Sequence, residues 1–273
     1  MAIAAKDVME LRRKTGLGMM DCKKALAETE GDVEKASDLL RQRGLAKMDT
    51  RSDRASSEGL VIAALSPDKT KGALVEINSE TDFTAGNDSF RAMAAKVVEA
   101  ALQQDPGQVT KTDAMQAAID DVRLTTKENV QFGRGMVLGG GGSRVGSYVH
   151  FNAKVGALVQ VQLPPQGAPD GVDEFLKELC QHIVASSPAP IAVTEDQVPS
   201  EILEKERQIA KAQAIESGKP EQIAEQMVTG KIRKFYEGHV LLKQPYIRDD
   251  KKSVSEILPK GLKIEAFARF QIG

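Results

Sequence analysis

The chain has 273 residues, enough for one large domain or two to three small ones with a hydrophobic core. Charged residues make up 28% of it and the formal net charge is -2, so it lacks the basic excess typical of proteins that bind nucleic-acid backbones directly. The cysteines and histidines are scattered and no apolar run is long enough to span a membrane, so we expect a soluble cytoplasmic protein without a metal, cofactor or disulfide.

Three short helices are predicted within residues 1–45. The first ends at the glycines of residues 15–18, and the second runs from about Met19 to Glu28. Asp32 is placed to cap the third helix, and Gly44 is placed to close it. A bundle this small has a marginal core, so its stability depends on a few apolar side chains.

The second helix begins with two methionines, Met19 and Met20, which are predicted to be exposed. Because methionine adapts to irregular surfaces, the pair is either a contact patch or a filler of gaps in the core, and the pattern leaves both open. Residues 47–58 are polar and without periodicity, which predicts a linker.

A β-hairpin is predicted over residues 59–65 and 73–78, followed by a loop that carries Asp82 and Phe83. A helix capped by Asp88 comes next; its apolar positions share one face: Phe90, Met93, Ala94, Val97, Val98 and Ala101. Phe83 fits neither pattern, so it is a large apolar side chain on a connection, where exposure would usually have a functional reason. In the structural alternative, Phe83 covers the core and Asp82 accepts backbone N–H bonds within the turn, and the loop residues taken alone favour this alternative.

Residues 133–146 are rich in glycine and follow a helix that Thr112 is predicted to cap. They contain neither a G-x-G-x-x-G nor a G-x-x-x-x-G-K-[ST] spacing, so the sequence does not support a phosphate-binding loop. We therefore predict a flexible boundary between two modules.

The pattern of strand, G-A-L-V strand and helix occurs twice. Residues 146–151 and 156–161 and the helix that follows repeat the order found around residues 72–77, which predicts a duplicated subdomain. The first copy has Thr-Asp-Phe after its second strand, whereas the second has the proline-rich residues 164–169. The two copies are therefore expected to share a scaffold and to differ in function at this loop.

Two charged helices separated by residues 217–220 are predicted between Pro199 and about Glu237. Their sparse apolar residues predict an antiparallel helical hairpin that projects into solvent. The hairpin either binds a partner or is a stable protrusion without a binding role. Residues 238–247 and the alternating apolar residues 264–272 are predicted to supply closing strands. The fold class is α+β, with an N-terminal three-helix bundle and two related core subdomains around the helical hairpin.

No catalytic constellation is convincing, so an enzyme is not expected. Lys23 and Lys24 beside Cys22 would favour a reactive thiolate, but no histidine lies nearby in the sequence to act as a base. The sequence therefore favours Cys22 as a core residue of the small bundle. His150, close to Tyr148, is a general base, a contact residue or a strand histidine whose ring nitrogens are hydrogen-bonded within the protein. The sequence favours the last of these.

Several segments together resemble the bacterial elongation factor Ts family, the guanine-nucleotide exchange factors of elongation factor Tu, and the resemblance spans nearly the whole chain. They are residues 11–26, 30–33, 81–83, 146–150 and 217–235. The resemblance implies a ubiquitin-associated-like (UBA-like) bundle and a core of two related α+β halves with a helical coiled-coil hairpin inserted in the second. The domains implied are 1–54 (bundle and linker), 55–142 (first core subdomain), 143–186 and 229–273 (second core subdomain), and 187–228 (hairpin).

The resemblance also implies partner contacts. Residues Thr81, Asp82, Phe83 and Thr84 match a loop that reaches the nucleotide site of elongation factor Tu and displaces its Mg²⁺. Family members usually have valine at position 84 and lysine at position 86, where this chain has Thr84 and Gly86.

Secondary contacts on elongation factor Tu are implied for Arg12, Met19 and Met20 of the bundle and for His150 of the second core subdomain. The resemblance leaves open whether one pair or a dimer of such pairs forms. Two other classes also stay open: a structural or RNA-associated translation accessory without exchange activity, and an enzyme built around Cys22 or His150.

Overall fold

The N-terminal part of the chain forms a three-helix bundle. The structure is a computed structural model that describes residues 3–50, 53–216 and 221–273. Its helices are α1 (Ala5–Thr15), α2 (Met19–Glu28) and α3 (Val33–Asp49). The side chains that share its core are Val8, Leu11, Cys22, Ala25, Leu26, Ala36 and Leu40. Asp32 caps α3, since its carboxylate accepts the Lys35 N–H at 3.0 Å, which confirms that prediction.

The first core subdomain is an antiparallel sheet covered on one face by helices. Its elements are β1 (Glu58–Leu65), β2 (Lys71–Ser79), α4 (Asp82–Gly86), α5 (Asp88–Leu102), β3 (Gly107–Gln108), α6 (Asp113–Thr126) and β4 (Gln131–Gly139). The strand order is β1-β2-β4-β3. The apolar faces of α5 and α6 bury Phe90, Met115 and Ile119 against the sheet, as their periodicity predicts.

The second half of the chain supplies a three-stranded antiparallel sheet in the order β5-β6-β9 and a two-stranded sheet of β7 and β8. Its elements are β5 (Ser143–Val149), β6 (Val155–Gln162), α7 (Val172–Ala185), α8 (Ser200–Glu216), α9 (Glu221–His239), β7 (Pro245–Tyr246), β8 (Asp249–Ser253), α10 (Val254–Ile257) and β9 (Lys263–Gln271). Helix α7 packs on the outer face of the three-stranded sheet through Leu176, Leu179 and Ile183.

The two core subdomains are related by their register as well as by their sequence. In the first sheet the pairing of β2 with β4 shifts between Glu76 and Ile77. In the second sheet the pairing of β6 with β9 shifts between Gln160 and Val161, which occupy the same positions of the repeated strand. A β-bulge at matching positions confirms the prediction of two related subdomains.

The two sheets pack face to face through one apolar cluster to which both contribute. Its buried members are Val61, Leu74, Leu138, Val145, Leu158, Ala268, Phe270 and Ile272. Backbone hydrogen bonds cross the same junction, from Val61 N–H to Ala153 O at 2.7 Å and from Val145 N–H to Lys69 O at 2.8 Å. The layers of the core are therefore, in order, helices α5 and α6, the first sheet, the three-stranded sheet of the second subdomain and helix α7.

An ion pair reinforces this junction at the edge of the sheets. The Asp173 carboxylate accepts from Arg144 at 2.8 Å and from Lys69 at 2.6 Å, and so links α7 to β5 and to the β1–β2 turn. The hydrogen bond from Arg144, with a further contribution from Lys69, lowers the pKa of Asp173 to about 2.

Helices α8 and α9 form the predicted antiparallel hairpin, and the predicted break at residues 217–220 lies outside the described residues. Lys231 donates to Gln213 across the pair. The base of the hairpin is apolar, with Leu203, Phe235 and Tyr236 packed around Val240. Helix α9 runs on to His239.

Two glycine-based predictions are wrong, because these glycines allow close packing. Gly44 does not close α3, which continues to Asp49 and so takes up the start of the predicted linker; a Cβ on Gly44 would lie 2.2 Å from Leu124 Cδ2 of α6. Most of residues 133–146 form β4 and the start of β5, not a flexible boundary. A Cβ on Gly133 would lie 2.4 Å from Asn78 Oδ1, so glycine there fits the bulge between β2 and β4.

Three further predictions are also corrected. Asn87, rather than Asp88, caps α5, since its side chain accepts the Ser89 N–H at 3.0 Å. Residues 238–247 form the end of α9, a 3₁₀ turn and the short β7 rather than a core strand. The predicted strand at 146–151 ends at Val149, and Phe151 lies in the turn that follows.

Candidate functional site

The short helix α4 follows directly from β2 and presents one apolar side chain to solvent. Thr81 caps it, because the Thr81 hydroxyl accepts the Thr84 N–H at 3.3 Å. Thr84 and Ala85 face the core and are buried, whereas Asp82 is exposed and Phe83 is 88% exposed. The alternative in which Phe83 covers the core is therefore wrong.

The residues at the start of α4 are held from several directions. The Glu128 carboxylate accepts the Thr81 hydroxyl at 2.7 Å and the Thr81 N–H at 3.1 Å. The buried Ser79 hydroxyl donates to Thr81 O at 2.9 Å. These bonds fix the base of the loop, while Phe83 itself has no large packing contact to hold it. The support from Glu128 was missed by the sequence patterns because it lies 47 residues away from Thr81 along the chain.

The bundle docks against the C-terminal half of α6, the helix that ends at Thr126, shortly before Glu128. Arg41 of α3 pairs with Asp121 at 2.6 Å, and a Cβ on Gly16 would lie 3.4 Å from Thr125 Cγ2. The turn between α1 and α2 therefore lies at the same end of α6 as the loop that carries Phe83.

The candidate contact residues of the bundle are all exposed. Met19 is 50% and Met20 is 64% exposed at the start of α2, so neither fills a gap in the core. Arg12 is exposed on α1. The structure thus places a methionine pair next to the turn that docks on α6, and brings the bundle and the Phe83 loop to one end of that helix.

His150 lies in the other core subdomain, in the turn between β5 and β6. It is half-buried, with Nδ1 at 3.1 Å from the Tyr148 hydroxyl and its ring 4.5 Å from the Phe151 ring. Phe151 is 91% exposed, a second projecting aromatic that the strand pattern concealed. Cys22 is fully buried in the bundle, which is the core position expected for it.

Over the ranges that the structure describes, no group of three or more His, Cys, Asp or Glu side chains is arranged to hold a metal ion. Within the same ranges, no helix combines the length and the apolar character needed to cross a bilayer. Among the described residues, the large apolar side chains that are exposed include Phe83, the methionine pair, Phe151 of the β5–β6 turn and several residues of the helical hairpin. The protein that carries these side chains is of the α+β class, with an N-terminal helical bundle and two related core subdomains.

Comparison with known proteins identifies the family. The family described as "Elongation factor TS" matches residues 80–273. Elongation factor Ts of Thioalkalivibrio sulfidiphilus is 43% identical over 282 residues, covering 100% of this chain and 93% of the relative. Elongation factor Ts of Alkalilimnicola ehrlichii is 40% identical with the same coverage, and that of Aquifex aeolicus is 36% identical, covering 100% of this chain and 99% of the relative.

The chain belongs to the elongation factor Ts family, and it is therefore a translation elongation factor.

Proposed function

We propose that this protein binds elongation factor Tu in the cytoplasm, displaces its Mg²⁺ and promotes release of GDP so that GTP can bind. The observation that carries the proposal is Phe83, an 88% exposed aromatic side chain on a helix whose first residues are held by hydrogen bonds. A large apolar group kept in water on a fixed support is typical of an anchor for a partner. Membership of the family supplies the partner.

Exchange of this kind needs no covalent chemistry, because it is a coupling between two binding events. A factor that binds the nucleotide-free GTPase more tightly than the GDP-bound form must weaken GDP binding by the same free energy. The protein therefore acts as an exchange factor and not as an enzyme that transforms a substrate.

The loop residues have distinct parts in this proposal. Phe83 enters the partner near its nucleotide site, and Asp82 brings a carboxylate to the same place. Thr81 and Thr84 form the inner side of α4 and set its orientation. Disturbing the Mg²⁺ ion weakens nucleotide binding strongly, since that ion is among the largest local charges in a phosphate site.

The Phe83 side chain alone is too weak to account for exchange. Moving a phenylalanine from water into an apolar pocket contributes about 1.5–3 kcal/mol, or roughly one to two powers of ten in affinity. Further contacts must hold the partner in its altered geometry, and we assign these to Arg12, Met19 and Met20 of the bundle and to His150. The bundle is well placed for this, because its α1–α2 turn lies at the same end of α6 as the loop.

The direct test measures release of labelled GDP from purified elongation factor Tu with and without this protein. Stimulated release at substoichiometric amounts of the factor is the expected result. Unchanged release, together with salt-dependent RNA binding, would instead favour the structural or RNA-associated accessory. Turnover of a substrate that is lost on replacing Cys22 or His150 would favour the enzyme.

A pair of matched variants tests the part played by Phe83. Phe83→Ala should lower the rate of GDP release even when the factor is saturating, because the missing group acts within the complex. Ile247→Ala removes an exposed apolar side chain from the other subdomain, in the turn after β7, and its saturated rate should equal that of the unmodified protein. Equal saturated rates for all three proteins would remove Phe83 from the mechanism.

A further inference from the structure

Two carboxylates tie the end of β2 to the segment between α6 and β4. Glu128 accepts the Thr81 N–H at 3.1 Å and the Thr81 hydroxyl at 2.7 Å. In the reverse direction, Glu80 accepts the Asn129 N–H at 2.7 Å. Each segment thus places a glutamate on a backbone N–H of the other, and we call these four residues the clasp.

The clasp is partly shielded from water and is supported from a third segment. Asn129 is 2% exposed, and its side-chain N–H donates to Arg54 O at 2.8 Å. Arg54 also lies 3.4 Å from the Glu80 carboxylate. Hydrogen bonds to ionised groups in such partly buried places are stronger than those between neutral groups in water.

Glu128 fixes the direction of the Thr81 hydroxyl. A hydroxyl has one hydrogen to donate, and here that hydrogen points to Glu128 at 2.7 Å. The hydroxyl oxygen therefore keeps its lone pairs for the Thr84 N–H, which it accepts at 3.3 Å. The Thr81 hydroxyl therefore donates to Glu128 and caps α4 at the same time, so the first hydrogen bond helps to orient the second.

Helix α4 needs such external support, because it has only 5 residues. Isolated helices shorter than about 12–15 residues are marginal in water, so α4 does not hold its own geometry. Phe83, which is 88% exposed, adds no packing that would fix it. The orientation of the Phe83 side chain therefore depends on Thr84 and Ala85, which pack inward, and on what holds Thr81.

We propose that Glu128 is a positioning residue that aims Phe83 without touching the partner. Its carboxylate orients Thr81, Thr81 caps α4, and α4 holds Phe83 in the direction required for docking. This inference rests on the function proposed above, in which Phe83 enters elongation factor Tu. Holding the side chain in place beforehand reduces the conformational entropy that docking removes.

The first test uses the free protein and requires no partner. The sequence contains no tryptophan, so Phe83→Trp provides a single fluorescent reporter on α4. Adding Glu128→Ala to that variant should increase the amplitude of the fast, nanosecond decay of fluorescence anisotropy. Glu99→Gln, which changes an exposed carboxylate on α5, should leave the decay unchanged.

Two conservative variants separate positioning from general damage to the fold. Thr81→Ser keeps the hydroxyl, so the reporter should stay as restrained as in the starting protein. Thr81→Val keeps the shape but removes the hydroxyl, and should loosen the reporter as Glu128→Ala does. An anisotropy decay that is the same in all of these proteins would overturn the inference.

The second test measures GDP release from elongation factor Tu in a double-mutant cycle. Glu128→Ala should slow release by about three- to tenfold when Phe83 is present, as expected for loss of one or two hydrogen bonds. It should cause no further slowing in a Phe83→Ala background, because it acts only through that side chain. Equal slowing in both backgrounds would show that Glu128 is an independent contact, and would contradict the positioning role.

The two tests also separate this inference from the proposed function. If Phe83→Ala leaves release unchanged, the part of Phe83 in exchange is wrong. Glu128 would still be shown to restrain α4 by the anisotropy of the free protein. If the anisotropy does not respond to Glu128→Ala, the positioning role fails whatever the release assay gives.

Discussion

Leu74 and Leu158 offer a test of how the two core subdomains are joined. They occupy the same position of the repeated G-A-L-V strand, both are fully buried, and both belong to the cluster between the sheets. We predict that Leu74→Ala and Leu158→Ala destabilise the protein by similar amounts, since each removes an equivalent side chain from one shared core.

The expected magnitude follows from burial. Removing a fully buried leucine costs its transfer free energy plus that of the cavity left behind, about 2–5 kcal/mol in all. We expect about 3 kcal/mol for each variant, a large part of the total stability of roughly 5–15 kcal/mol that is typical of a domain. Because both cavities open into one cluster, the double variant should differ from the sum of the single ones by about 0.5–3 kcal/mol.

Urea unfolding followed by far-ultraviolet circular dichroism measures these costs. The midpoints should fall while the slope of the transition stays constant, since the surface exposed on unfolding is unchanged. Ile202→Ala, at a 38% exposed position on α8, serves as the comparison and should have a small effect. A cost below about 1 kcal/mol for either leucine would refute the shared core.

Two further perturbations test other parts of the structure. Deleting residues 1–49 should weaken binding to elongation factor Tu but leave the core folded, as judged by its urea midpoint; a core that unfolds would contradict this. Burial lowers the pKa of His182, and its Nδ1 accepts the Ile247 N–H at 3.3 Å, so the folded protein favours the neutral ring. The unfolded chain then binds more protons below a pH of about 6.5, so stability should fall on acidification by at most about 1.4 kcal/mol per pH unit from this group. His182→Gln should show a shallower pH dependence of the urea midpoint between pH 7 and 5, and an identical dependence would contradict the explanation.

Much of the fold was predictable because local patterns and tertiary structure agree. The apolar face of α5 and the cap at Thr112 are local features that the structure confirms. The repeated G-A-L-V strands predicted two related subdomains, and the matching bulges confirm them. The exposure of Phe83 did not follow from the local patterns, which favoured packing on the core, and only the resemblance to the family pointed to an exposed contact.

Some of the wrong predictions share a physical cause, because glycine, asparagine and aspartate can each serve more than one structural purpose. Gly44 lies where α3 crosses α6, and only the position of Leu124 shows that it is there for close packing rather than for a C-cap. Asn87 and Asp88 are adjacent and both are good N-caps, so sequence alone could not choose between them.

The support of the candidate site was not predictable from a single sequence. Thr81 and Glu128 are 47 residues apart, and no local pattern relates them. The docking of the α1–α2 turn near the end of α6 is likewise a tertiary contact. The loop could therefore be identified from the sequence, whereas the residues that hold it required the structure.

The most direct measurement is the affinity of this protein for nucleotide-free and for GDP-bound elongation factor Tu, with and without Phe83→Ala. We predict that the unmodified protein binds the nucleotide-free form more tightly, and that Phe83→Ala loses more affinity for that form than for the GDP-bound form. A ligand shifts an equilibrium only through its differential affinity for the two states. Equal losses of affinity for the two forms would contradict the central claim.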